Sequence, residues 1–293
     1  MSYDFITTTY GKWILAGEHS VIRGSGALVF PVKEKELTLQ YHNCTSELNA
    51  DYEGDSGADM HLLFWSVLEQ GMHLLGKSLN TLSGHFNLNS NIPIGVGLGA
   101  SAALCVAMAR WFAHQKMIPT AQVPAFARDL EHLFHGKSSG LDIAGVAAVD
   151  GIYFKDGTCT AVQPSWKPNL YLSSCGQIGI TSHCIHQVQQ IWQNDEAFAR
   201  SIDGQMTESV MLAQQALNQT DHGEALLTNA ITQAANCFRQ WGLVSESLER
   251  HMLNLTEAGA LAVKPTGSGG GGYVVSLWKS TPPKMAIELI SAV

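Results

Sequence analysis

The chain has 293 residues, 45% apolar and 14% charged, which suits one large or two moderate domains with a real core and argues against disorder. Its 17 Lys and Arg against 25 Asp and Glu give a formal charge of −8 without any basic cluster. A nucleic-acid partner is therefore not expected, because phosphate neutralisation needs a basic face.

In chain order, "TTTYGKWILAGEH", "GALVFPV" and "ELTLQYH" alternate in the manner of strands. "DYEGDSGAD" (51–59) reads as a polar loop and 60–76 as an apolar helix. "SGHFNLNSNIP" alternates again and delivers the chain into "PIGVGLGASAA" (93–103). There Gly95, Gly97 and Gly99 permit positive φ directly before "SAALCVAMARWFAHQ", whose Ala103, Ala107 and Trp111 fall on one helix side beside Leu104, Met108 and Phe112. A glycine loop feeding a helix N-terminus favours an anion, although a loop that merely packs tightly fits the same letters.

A second helix follows over "TAQVPAFARDLEHLFHG", then "KSSGLDIAGVAAVDG" and a hairpin, "GIYFKDGTCTAVQ". Beyond it come a strand and turn, "PNLYLSSCGQIGITS", helical segments from about 186 to 260, and a glycine cluster running into a strand, "KPTGSGGGGYVVSLW". The composition shift near 155–170 sets the expected domains at 1–160 and 161–293. Strands first, then helices and strands interleaved, predicts an α+β protein rather than a doubly wound sheet. The six cysteines lack CxxC pairing and read as reduced thiols, and the twelve histidines show no HExxH spacing. "MSYDFITTTYGK" has no long apolar run, so neither a signal peptide nor a membrane span is expected, and the protein is expected in the cytoplasm.

Three segments, "GKWILAGEHSVIRG" (11–24), "PIGVGLGASAA" and "KPTGSGGGGYVVSL" (264–277), together resemble the GHMP family of small-molecule kinases. The family's middle motif, Pro-x-x-x-Gly-Leu-Gly-Ser-Ser-Ala, is matched except for Ala100 in place of the first serine. "GEHSV" is most similar to the mevalonate-phosphorylating branch. The resemblance spans nearly the whole chain in the correct order. It implies a two-domain α+β architecture, with an N-terminal ribosomal S5 domain 2-like part and a C-terminal ferredoxin-like part. It also implies that Gly95, Val96, Gly97, Leu98, Gly99, Ala100 and Ser101 wrap the phosphates of ATP, and that Mg²⁺ is held by Ser101 and Glu131. From spacing alone Glu131 would be a solvated helix carboxylate.

By the same resemblance Asp142, in "SSGLD", is the base that accepts a proton from the acceptor hydroxyl, and Lys12 is its partner. Taken alone, Asp142 reads equally as a helix cap and Lys12 as a solvent-facing strand lysine. Glu18 and His19, with Lys12, Asp142, Thr266 and Gly267, would receive a small hydroxy acid; a histidine satisfied inside its own turn is the alternative for His19. An acceptor already bearing phosphate would ask for more cations than Lys12, Arg23, Lys33, Lys137 and Lys264 supply near the motifs. Ser138 replaces the family's proline, Pro265 a small apolar residue and Ala262 a frequent glycine. Relatives are often dimers, so a homodimer is the assembly implied.

Overall fold

The computed structural model describes residues 3–135 and 138–293. By its internal packing the chain divides into two units, residues 1–12, 32–94 and 99–147, and residues 13–31, 95–98 and 148–293. Strands β1 (Phe5–Ala16) and β2 (Ala27–Glu47) each lend residues to both.

In the first unit, β2 runs antiparallel to β4 (Ser83–Ser90), with Leu39 opposite Leu88 and Tyr41 opposite Phe86. β3 (Asn49–Glu53) lies parallel to β4. The segment 51–59, expected as a polar loop, therefore contributes its first residues to a strand. This strand forms the sheet edge, with Asn49, Asp51 and Glu53 exposed and Ala50 and Tyr52 half-buried, Tyr52 packing on Phe64. Helices α1 (Gly57–Leu74), α2 (Ala100–His114), α3 (Val123–His135) and α4 (Leu141–Ala147) complete the unit. Every side of α2 from Ala102 to Ala109 is buried, so this helix is the unit's core rather than a surface element. Phe86 anchors the packing, its ring 4.8 Å from Tyr41, 4.9 Å from Trp111 and 5.1 Å from Phe64. Truncating such a side chain to alanine typically costs about 3–5 kcal/mol.

The second unit holds part of the six-stranded sheet that β2 runs through and the whole of a four-stranded one. The first residues of β2, Ala27–Val29, pair with β5 (Ile152–Lys155), which hairpins onto β6 (Thr158–Ala161). Asp156 and Gly157 turn this hairpin at φ 49° and 78°, the positive angles that Asp-Gly favours in a two-residue turn. The other sheet is antiparallel throughout, in the order β10 (Ile290–Ser291), β7 (Asn169–Ser174), β9 (Tyr273–Trp278), β8 (Ala262–Pro265). Helices α5 (Thr181–Asn194), α6 (Glu196–Leu217), α7 (Gly223–Gln240) and α8 (Glu246–Glu257) complete the unit, with α7 and α8 packing on the sheet, α6 on α7 and α5 on α6. Asp195 caps α6 by accepting from Phe198 N at 2.9 Å, and Ser245 caps α8. Val274 and Trp278 of β9 pack with Leu248, Met252 and Leu255 of α8 in a continuous apolar core. All six cysteines are free, and among the described residues no helix is long and apolar enough to cross a membrane.

Candidate active site

The first unit gathers an ammonium and two carboxylates. Lys12, near the middle of β1, is 1% exposed, and its Nζ lies 2.9 Å from Asp142 Oδ1. A buried ammonium without a partner would be costly, so the carboxylate is what makes this burial tolerable. Asp142 sits in the first turn of α4 with 34% of its side chain exposed, leaving it open to a ligand while it holds Lys12. Gly99, the N-cap of α2 at φ 80°, makes room: an added Cβ would lie 3.0 Å from both Lys12 Cγ and Val146 Cγ1. The first amides of α2, at Ala100, Ser101 and Ala102, have no partner within the helix, and Ser101 is half-buried beside the buried Ala100.

Glu131, on α3, is buried rather than solvated. Ser138 Oγ donates to its Oε2 and accepts from Gly140 N at 3.0 Å. Glu131 Oε1 takes no hydrogen bond from a described residue. Burial, and then the nearby charge of Asp142, push the Glu131 carboxyl up to about 7, against the opposing pull of the Ser138 bond and of Lys12. Two neighbouring acids with one ammonium form a hard-oxygen environment deficient in positive charge, which fits a divalent cation such as Mg²⁺. Among the described residues no three His, Cys, Asp or Glu side chains converge to hold a metal alone, so a cation here would need hydroxyl, water or ligand oxygens as well.

The second unit places loop 95–98 against loop 266–272. Tyr273 N donates to Val96 O at 3.2 Å, and a Cβ on Gly272 would run into that same carbonyl. Thr266 Oγ1 donates to Ile14 O at 3.1 Å and accepts from Ile14 N at 2.7 Å, which ties this loop to β1. Glu18 and Lys264 form a buried ion pair at 2.5 Å, and Lys264 Nζ also donates to Ile14 O at 3.1 Å. His19, at φ 56°, donates from Nε2 to Ser268 O at 2.9 Å and meets the Trp241 ring edge-on at 5.1 Å. Burial lowers its pKa to about 4, only partly offset by the Ser268 bond. The ring is thus neutral at pH 7. Because a carbonyl can only accept, Nε2 bears the hydrogen and Nδ1 presents a lone pair. Arg23 grips Asp203 of α6 through two bonds of 2.5 and 2.8 Å.

The family signature "GHMP kinases N terminal domain" matches residues 63–151. A mevalonate kinase from Aeropyrum pernix is 25% identical over 295 aligned positions, covering 96% of this chain and 90% of the relative. The chain thus carries a GHMP kinase N-terminal signature over residues 63–151 and is similar to mevalonate kinases over most of its length. Its fold is also that of L. major mevalonate kinase solved with R-mevalonate, at TM-score 0.77 and 23% identity over 94% of this chain and 88% of that one. Streptococcus pneumoniae phosphomevalonate kinase shares it at TM-score 0.70 and 18% identity, with 95% and 92% covered.

Lys12, Glu131 and Asp142 come together in one unit with Gly99, Ala100 and Ser101, while Gly95–Leu98, Glu18, His19, Thr266 and Gly267 lie in the other. Lys137 lies outside the described residues. Three participants were not singled out by sequence reasoning: Lys264 as the partner of Glu18, Asp203 as the partner of Arg23, and Ser138 as a bond to Glu131. Lys264 had a signal, since it directly precedes the third glycine motif. Asp203 had none, because it sits 180 residues from Arg23 on an otherwise ordinary helix.

Proposed function

We propose that this enzyme transfers the γ-phosphoryl group of ATP to the primary hydroxyl of mevalonate, giving 5-phosphomevalonate and ADP in isoprenoid precursor synthesis, in the cytoplasm. The observation that carries the chemistry is the buried Lys12 ammonium 2.9 Å from a carboxylate that remains open on its other side. Asp142 takes the hydroxyl proton as the substrate oxygen bonds to the γ-phosphorus and the bond to the β,γ-bridging oxygen breaks. Lys12 orients Asp142 and offsets negative charge as it develops. The amides of Gly95–Ser101 receive the phosphates by close backbone approach. Glu131 and Ser101 would hold Mg²⁺, which when bound neutralises charge on the triphosphate. His19 accepts a hydrogen bond at Nδ1 from an acceptor hydroxyl, since its N–H is committed to Ser268.

Support for mevalonate over its relatives comes from the Glu18-His19 segment, from the mevalonate kinase likeness over most of the chain, and from the scarcity of cations that a phosphorylated acceptor would need. A coupled ADP-release assay with an acceptor panel tests it. Mevalonate should drive turnover while phosphomevalonate, galactose and homoserine leave the ATPase background. Turnover on phosphomevalonate alone would replace this reading with that of the sibling kinase.

A further inference from the structure

We infer that Ser138 is a positioning residue that fixes which oxygen of Glu131 faces the cation. The family motif has proline at this place, which carries no hydroxyl, so the contact belongs to this chain's own sequence. The Ser138 hydroxyl makes two bonds of opposite sense: it donates to Glu131 Oε2 and accepts from Gly140 N at 3.0 Å. Gly140, at φ 85°, sits immediately before α4, whose second residue is Asp142. One side chain therefore ties the carboxylate on α3 to the turn that sets the start of α4.

The geometry makes this more than a packing contact. Glu131 is buried beside a second carboxylate, and repulsion from Asp142 would turn an untethered carboxylate away. With Oε2 held by Ser138, Oε1 is the oxygen without a described partner and the one available to a ligand. A hydroxyl that orients a ligating carboxylate changes cation affinity without touching the acceptor. Threonine keeps the hydroxyl at the same position, alanine removes it, and proline restores the family residue without the bond.

The inference rests on Glu131 serving a divalent cation, and not on the identity of the acceptor. The test is Mn²⁺ binding to the full chain in the presence of ADP, read by electron paramagnetic resonance, alongside steady-state kinetics with Mg²⁺ varied. Ser138→Ala should weaken Mn²⁺ binding by about 10- to 100-fold. It should raise the Mg²⁺ needed for half-maximal rate in parallel, with KM for mevalonate within twofold of the parent. Ser138→Thr should recover Mn²⁺ binding to within a few-fold, and Ser138→Pro should behave like the alanine variant. Unchanged Mn²⁺ binding in a folded Ser138→Ala protein would overturn the inference, as would a folded Ser138→Thr protein no better than alanine. Weakened Mn²⁺ binding by Ser138→Ala, in a protein whose parent does not phosphorylate mevalonate, would uphold the clamp and defeat the acceptor reading.

Discussion

Glu131 is held in the fold as a carboxyl that resists ionisation. Its pKa rises to about 7 from an ordinary value near 4.5, chiefly because burial removes water from the charged form. Between those two values the folded chain binds a proton that the unfolded chain has released, so this group's contribution to stability is present below the lower value and is lost as pH rises through the upper one. Glu131→Gln, permanently neutral, should therefore raise the melting temperature of the cation-free protein at pH 8 and leave it almost unchanged at pH 4.5, as read by paired thermal melts. Equal shifts at both pH values would show that the gain comes from packing rather than charge. At this scale the sequence conveyed identities more fully than environments. Lys12, Asp142 and Glu131 were identifiable through the motifs, yet nothing local distinguishes a buried Lys12 from a solvent-facing one, because its burial depends on Asp142, 130 residues away, and on the missing side chain of Gly99.

The elements divide by how much of their cause is local. Helix α2 was readable because its run from Ala100 to Ala109 is apolar and uncharged apart from the Ser101 hydroxyl, and the β5–β6 hairpin because Asp156-Gly157 carries its turn chemistry in two residues. β3 was not readable, since Asn49–Glu53 turns only Ala50 and Tyr52 inward, too short an alternation to stand out among its polar and acidic neighbours, and it pairs with β4. β2 reads as two strands, "GALVFPV" and "ELTLQYH", broken by Lys33-Glu34-Lys35. The structure joins them into one strand that β1 also pairs with, and Pro31 falls outside the stretches paired with β5, at Ala27–Val29, and with β4, from Leu37 onward.

The glycine loops offer an element-scale test. Gly272 is at φ 85° with Val96 O in the space a Cβ would need, whereas Gly157 is at φ 78° with nothing within 4 Å. Gly272→Ala should lower both melting temperature and ATP affinity, because loop 266–272 must move off Val96. Gly157→Ala should cost only about 1 kcal/mol for the left-handed backbone and leave ATP affinity intact. Titration calorimetry and thermal melts on the two variants separate backbone strain from loop packing. Equal ATP affinity in both variants would remove Val96 from the nucleotide loop's support.

For the whole molecule, the order of three motifs along nearly the full chain made the resemblance legible, while a fold shared by mevalonate, phosphomevalonate and galactose kinases does not by itself choose the acceptor. In the proposed function the choice rests on side chains, and the chemistry on Asp142. The most direct measurement is single-turnover phosphoryl transfer by rapid chemical quench, comparing the parent with Asp142→Asn at saturating ATP and mevalonate. The account predicts a fall in the transfer step of about 10²- to 10⁴-fold with ATP affinity within a few-fold of the parent. Transfer by Asp142→Asn at the parent's rate would contradict it.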